Sequence, residues 1–185
     1  DCVNAKSLDN RVSVYILLEV LRELKEETLP YDLYAVFSVQ EEVGLRGAIS
    51  AARQIDPDFG FGLDVTIAFD VPGAQPHEVV TRLGKGTAIK IMDGSTISDY
   101  RMVEFLKKTA DAEGIPWQPE ILPKGGTDTA AVQRYGKKGA IAGAISIPTR
   151  NLHQVIEMAH KRDIRASIDL LKAGISRLDQ HNWSF

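Results

Sequence analysis

The sequence contains a single cysteine, Cys2, among its 185 residues. One chain therefore cannot form an internal disulfide or a zinc site built from several thiolates, and this composition favours a reducing compartment. The sequence also lacks an apolar run long enough to cross a bilayer, and no signal peptide is visible. These absences predict a cytoplasmic protein that has no membrane partner.

A large excess of charge of one sign is also missing. The chain has 22 Lys and Arg against 25 Asp and Glu, which gives a formal net charge of -3. This balance does not suggest a surface for nucleic acid or for an anionic membrane. The length is sufficient for one domain with a substantial core. Because no repeat, low-complexity segment or linker divides the chain, we expect residues 1–185 to form a single domain.

Strand and helix patterns alternate along most of the sequence. Helical periodicity begins at Val12 and stops at Pro30, and a second amphipathic pattern covers residues 99–113. The predicted strands cover residues 32–40, 61–71, 87–92, 117–122 and 138–147. Such alternation predicts a three-layer α/β/α fold, in which a mostly parallel sheet carries helices on both faces.

Two adjacent carboxylates, Glu41 and Glu42, follow the predicted strand that contains the apolar run 33–37. One interpretation is that they stabilise the start of the next helix, because acidic side chains favour the positive end of a helix dipole. The alternative is a metal site, with one carboxylate as a ligand and its neighbour as a base. Neighbouring side chains of an extended segment point to opposite faces, which favours different roles for the two residues.

Asp9, Asp64 and His153 are further candidates. Asp64 lies inside a predicted buried strand, where a carboxylate is costly unless it is paired or bound to metal, although a strand end in solvent would also accommodate it. Asp9 precedes a helix and could be a simple N-cap. His153 follows a late strand, in a loop where histidines are more often solvated. Carboxylates with an imidazole and without thiolates suit zinc, cobalt or manganese.

The glycine turn 125–128 leads into a short predicted helix. Thr127 or Asp128 could be a plain N-cap of that helix. Alternatively, the turn forms a pocket wall, because glycine lets a ligand approach the main chain closely. With the carboxylates and the histidine, such a pocket would suit a two-metal hydrolase, in which one carboxylate bridges both ions.

Five motifs, in this order, resemble the M42 family of metallo-aminopeptidases. This family includes the glutamyl and tetrahedral aminopeptidases, and some of its members have been labelled endoglucanases. The motifs are Leu8-Asp9-Asn10-Arg11, the segment 39–48 with its Gln-Glu-Glu-Val-Gly block, Asp64-Val65-Thr66, Gly125-Gly126-Thr127-Asp128, and Ile147-Pro148-Thr149-Arg150 followed by His153. The resemblance covers nearly the whole chain.

The resemblance implies a site with two divalent ions, zinc or cobalt. Asp9 would bridge both ions, Glu42 and His153 would complete one site, and Asp64 would belong to the other. Glu41 would be the general base that takes a proton from the bridging water. The bond after Asp9 would be a cis peptide, as in related two-metal peptidases.

The resemblance also implies a peptide substrate and a homo-oligomer. Its substrate pocket would be lined by Gly125, Gly126, Thr127 and Asp128. A related N-acyl amino acid deacylase and a non-catalytic assembly domain remain alternatives. The glycosidase reading is disfavoured, because it needs two carboxyl groups facing each other across one bond.

The chain departs from the family pattern in two ways. Asn10 stands where the family usually has a second aspartate. The family also has a further metal-binding histidine and an inserted β-rich domain ahead of the position of Asp9, and neither is present. Because the chain starts at Asp1 rather than Met, we expect a C-terminal part of the catalytic domain that holds one metal ion.

Overall fold

The structure is a computed structural model that describes residues 1–184. The described helices are α1 (Leu8–Glu23), α2 (Arg46–Ile55), α3 (Tyr100–Glu113), α4 (Thr129–Tyr135) and α5 (Lys161–Arg177). The described strands are β1 (Cys2–Ala5), β2 (Phe59–Ile67), β3 (Thr87–Met92), β4 (Trp117–Ile121), β5 (Ile141–Arg150) and β6 (Glu157–His160). No helix of the described chain is long and apolar enough to span a membrane.

The strands form one sheet around β5. The order is β1-β6-β5-β3-β4, and β2 also pairs with β5. The α/β class is confirmed, but the sheet is mixed rather than mostly parallel. The pairs β2–β5 and β3–β4 are parallel, whereas β1–β6, β3–β5 and β5–β6 are antiparallel. The connection from β5 to β6 is short, and the segment between β2 and β3 contains only one 3-10 turn. Parallel strands are usually joined by a connection that contains a helix. Neither of these two connections contains one.

Helices cover both faces of this sheet, as the alternating side chains of β2 show. A Cβ atom at Gly62 would lie 1.9 Å from Oγ1 of Thr129, so β2 and α4 approach closely on this face. The neighbouring side chain, Phe61, points to the other face, where its ring lies against Gly174 of α5. Successive residues of a strand face opposite sides, so α4 and α5 belong to different layers.

The larger core lies between the sheet and helices α1, α3 and α5. Ile16 and Val20 of α1 are four residues apart on one face and are fully buried. Fully buried side chains from the other elements complete this core, among them Ile89, Met102, Leu106, Ile145, Ile147 and Leu170. This packing fixes α1 and β5, which carry or precede the candidate site residues.

The predicted strand over residues 32–40 is wrong. This segment forms no strand, and the side chains of Tyr34, Phe37 and Val39 are 61%, 50% and 66% exposed. Its composition favours an extended backbone, but a strand also needs a neighbour with which to pair, and no strand of residues 1–184 lies along it. The segment is held at its ends, where the Tyr31 hydroxyl donates to the Ile175 carbonyl and the Val39 carbonyl accepts from the Gly47 amide.

Candidate metal centre

Three candidate ligands converge at one point. Nε2 of His153 lies 3.0 Å from Oδ2 of Asp9 and 3.4 Å from Oε1 of Glu42. One ligand atom from each of the three residues lies within 4.8 Å of the others. We call these three residues the metal cluster. Two carboxylate oxygens and one imidazole nitrogen at this spacing are a suitable donor set for a divalent transition metal.

Asp9 sits at an irregularity near the start of α1. Its backbone dihedral angles are φ -73° and ψ 107°, which are not helical. The peptide bond between Asp9 and Asn10 is cis, as expected from the resemblance. Nδ2 of Asn10 donates a hydrogen bond to the Leu63 carbonyl at 3.1 Å. Asn10 therefore ties the kinked start of α1 to β2.

Glu41 and Glu42 lie in a 3-10 turn, Glu41–Val43, rather than in the extended segment that the sequence suggested. Gly44 follows with φ 110°, a conformation that favours glycine. A Cβ atom at Gly47 would lie 2.5 Å from the Val39 backbone nitrogen, so the two ends of the turn approach closely. Helix α2 begins only at Arg46 and has no side-chain cap, which disfavours a capping role for the two glutamates.

Asp64 is buried in β2, with 8% of its surface exposed. The sequence-based alternative, a strand end in solvent, is therefore wrong. Its Oδ1 accepts a hydrogen bond from the Val65 amide at 2.8 Å. Asp64 and Glu41 border the same cavity as the metal cluster, but neither is one of its three members.

Negative charge is concentrated around this cavity. Burial, followed by the charge of Glu42, raises the pKa of Asp9 to about 6. Burial, followed by the charges of Glu42 and Asp128, raises the pKa of Glu41 to about 7. Burial and the charge of Glu41 raise the pKa of Asp64 well above its ordinary value. A divalent cation would favour the ionised form of all these carboxyl groups.

The cavity has a volume of about 500 Å³. Gly125, Gly126 and Thr127 form part of its wall, together with the apolar side chains Leu45, Val65, Ile67, Leu122 and Leu152. Asp128 does not line it; its carboxylate accepts a hydrogen bond from the Ser38 hydroxyl. Asp128 is the residue before α4, but its side chain makes no cap hydrogen bond, so the capping interpretation is not supported.

A buried charge cluster beside the cavity was missed by sequence reasoning. Nζ of Lys90 lies 2.6 Å from Oε1 of Glu120 and 3.4 Å from Oδ2 of Asp93. All three side chains are almost completely buried, and the Thr127 hydroxyl donates to Asp93. A lysine inside the otherwise apolar run 88–92 was the available signal, since a buried ammonium requires a partner.

Glu157 was also missed. It is 2% exposed and begins β6. Its Oε2 accepts a hydrogen bond from the Asp9 amide at 2.9 Å, and its Oε1 accepts one from the His153 amide at 3.1 Å. Its position four residues after His153 was the only signal in the sequence.

Comparison with known proteins identifies the family. The family model described as M42 glutamyl aminopeptidase matches residues 1–170. The chain belongs to the M42 family. This match confirms the resemblance that the five sequence motifs predicted. The chain spans 52% and 47% of the length of two curated relatives. The prediction that the chain is a partial domain of this family is therefore also confirmed.

Several relatives share this similarity over nearly all of the chain. The lysyl aminopeptidase of Pyrococcus furiosus is 36% identical over 174 residues, which are 92% of this chain and 47% of the relative. An aminopeptidase structure from the archaeon Desulfurococcus kamchatkensis is 42% identical, with a TM-score of 0.90 over 94% of this chain and 49% of that one. The structure of the Pyrococcus horikoshii TET1 peptidase has a TM-score of 0.81 at 30% identity, over 94% of this chain and 50% of that one. That peptidase is described as assembling into a tetrahedron or a large octahedral shell.

Proposed function

We propose that the protein is a metal-dependent aminopeptidase that removes N-terminal residues from peptides. In the complete enzyme, two divalent ions, zinc or cobalt, would be held by ligands that include Asp9, Glu42, Asp64 and His153. The observation that carries the proposal is the metal cluster, in which residues from distant parts of the chain bring ligand atoms within 4.8 Å of one another. Family membership supports the same chemistry.

The residues fit such a centre in several respects. The metal cluster offers three protein ligands, and a catalytic metal site keeps a further position for water or substrate. The cluster opens into the cavity, with His153 62% exposed on its side chain and Asp9 13% exposed. Asp64 borders this cavity from the sheet side, where it would serve the second ion with Asp9 as the bridging ligand.

Glu41 is the residue proposed as the general base. It is half-buried, borders the cavity and stands outside the metal cluster. Bound divalent ions would polarise the scissile carbonyl and make a water molecule more acidic. Glu41 would take a proton from that water and later give it to the leaving amine.

The cavity wall suggests how a peptide would bind. The glycine turn at Gly125 and Gly126 exposes main chain to the cavity, and the apolar side chains beside it could contact a substrate side chain. Related structures are described as a dodecamer or as a tetrahedral or octahedral assembly, and we propose a homo-oligomer here too. We also propose a cytoplasmic location, with residues 1–185 as part of the catalytic domain.

A substrate panel tests this function. The complete enzyme would be assayed with amino-acyl anilides and short peptides, with the same peptides acetylated at the N-terminus, and with N-acyl amino acids. We expect hydrolysis only of substrates with a free N-terminus, loss of activity with a chelator, and recovery on addition of zinc or cobalt. Hydrolysis of N-acyl amino acids instead would indicate a deacylase. Metal binding without turnover on any of these substrates would contradict the peptidase proposal.

A further inference from the structure

Glu157 joins the backbones of two metal-cluster residues that are far apart in the sequence. Each carboxylate oxygen accepts one hydrogen bond, from the Asp9 amide at 2.9 Å and from the His153 amide at 3.1 Å. Glu157 is almost completely buried, so these two bonds offset much of the cost of removing its charge from water. Bonds from backbone amides to an ionised carboxylate are stronger than those between neutral groups.

Both amides lie where the backbone departs from regular secondary structure. His153 has φ 62°, in the left-handed region that non-glycine residues rarely adopt. Asp9, with ψ 107°, and Asn10 interrupt the helical dihedral angles near the start of α1. A left-handed conformation such as that of His153 persists where the surrounding structure holds it in place. Glu157 supplies a hydrogen bond to each of these two segments, and its own position is fixed by the pairing of β6 with β1.

We infer that Glu157 is a positioning residue, which sets the separation of Asp9 and His153 and thereby the affinity and geometry of the metal centre. This inference rests on the proposed function, because it assumes that the metal cluster binds a divalent ion. Glu157 makes no direct contribution to the ligand set. It acts through the two main-chain amides.

The competing explanation is that Glu157 only satisfies two buried amides and stabilises the fold. Asp163 offers a matched control. It is also fully buried, and its carboxylate accepts hydrogen bonds from two backbone amides, those of Gly84 at 2.7 Å and Gly86 at 2.8 Å. These bonds go to the loop before β3 rather than to the metal cluster.

The test uses Co²⁺ as the probe and compares Glu157→Gln with Asp163→Asn. A side-chain amide has one acceptor oxygen, so it can accept from only one of the two amides while its NH₂ group faces the other. We expect Glu157→Gln to weaken Co²⁺ binding about 10–100-fold and to change the visible absorption bands of the bound ion. Asp163→Asn should lower the melting temperature but leave the Kd for Co²⁺ and the spectrum unchanged.

Glu157→Asp separates geometry from charge. It keeps the negative charge but shortens the side chain, so that one carboxylate cannot reach both amides. We expect weaker Co²⁺ binding and an altered absorption spectrum in this variant as well. If Glu157→Gln does not fold, Glu157→Asp tests the positioning role instead. An unchanged Kd and spectrum in folded Glu157 variants would overturn the inference while the metal centre stands. A wild-type protein that binds no Co²⁺ would instead refute the metal centre itself, and the inference with it.

Discussion

The imidazole of His153 and the carboxylate of Asp9 lie 3.0 Å apart, although they come from opposite ends of the chain. His153 is in the loop between β5 and β6, and Asp9 is near the start of α1. The pairing of β1 with β6 brings these two regions together, with Ala5 opposite Glu157. The metal cluster therefore depends on the contact between β1 and β6.

In the complete enzyme, replacement of Glu41 by Gln should abolish turnover without loss of metal. Glutamine keeps the shape of the side chain but cannot accept a proton, and loss of a general base costs about 10²–10⁴ in rate. Turnover and metal content would be measured on the same preparation. Glu42→Gln serves as the comparison, because it should lower the metal content instead. Metal loss in Glu41→Gln, or near-normal turnover, would show that the roles of the two glutamates are exchanged.

A preparation of the 185-residue chain should retain about one tightly held zinc ion, because the metal cluster supplies three ligands and water can complete the site. The second site has only Asp9 and Asp64 within this chain. Metal analysis after dialysis would measure the stoichiometry. His153→Ala should remove the retained ion, whereas Asp64→Asn should not. Two tightly held ions per chain would show that another group replaces the additional histidine of the family.

Lys90→Met should strongly destabilise the fold. Loss of one partner from a buried ion pair leaves the other charge without compensation and costs about 3–5 kcal/mol. The double variant Lys90→Met with Glu120→Gln should recover much of this free energy of unfolding, as measured with urea. Lys138→Met is the control, because its ion pair with Asp58 is exposed and should contribute little to stability. If the single and double variants lose the same free energy of unfolding, the charges of Lys90 and Glu120 do not compensate each other directly.

Local apolar runs allowed part of the fold to be predicted. The strand 87–92 was predicted with the bounds that the structure has, and Asp64 was correctly expected inside a buried strand. Residues 32–40 misled the prediction, because strand formation depends on a distant partner that composition does not reveal. The roles of Lys90 and Glu157 were missed for the same reason. Two of their contacts, that of Lys90 with Glu120 and that of Glu157 with Asp9, join residues remote in sequence.

Asp70→Asn should make stability depend less on pH. Burial opposes ionisation of Asp70, but hydrogen bonds from Arg150 and the Leu83 amide outweigh it and hold its pKa below the ordinary value. A carboxyl group with a lowered pKa in the folded state stabilises the fold above its unfolded-state pKa of about 4, and this contribution disappears as the pH falls through the folded-state pKa.

Urea unfolding at pH 7 and pH 3 would test this prediction. At pH 7 the free energy of unfolding of the wild type should exceed that of Asp70→Asn by on the order of 1 kcal/mol. This difference between the two proteins should shrink at pH 3. Asp58→Asn is the control, because the side chain of Asp58 is 69% exposed. This substitution should change the free energy of unfolding only slightly at pH 7 and at pH 3. A constant difference between wild type and Asp70→Asn would contradict the assignment.

Residues 33–39 should promote self-association of the 185-residue chain. Several apolar side chains there are exposed together, and an extended segment without strand partners can pair with another chain. Phe37→Lys with Val39→Lys should reduce association in sedimentation velocity experiments. Ile97→Lys, at an exposed apolar residue in a different loop, should not. Assemblies that persist unchanged in the double variant would place the association surface elsewhere.

The central position of β5 has a consequence for the order of folding during synthesis. β5 pairs with β2, β3 and β6, and the residues that meet in the β2–β5 pairing, such as Phe59 and Ile141, are far apart in the chain. Because translation proceeds from the N-terminus and long-range pairings form slowly, Asp9, Glu41 and Asp64 leave the ribosome long before the strand that organises them. The metal centre can assemble only once residues 141–160 have emerged. A nascent chain that stops before residue 141 contains the three carboxylates but lacks the strands that bring them together.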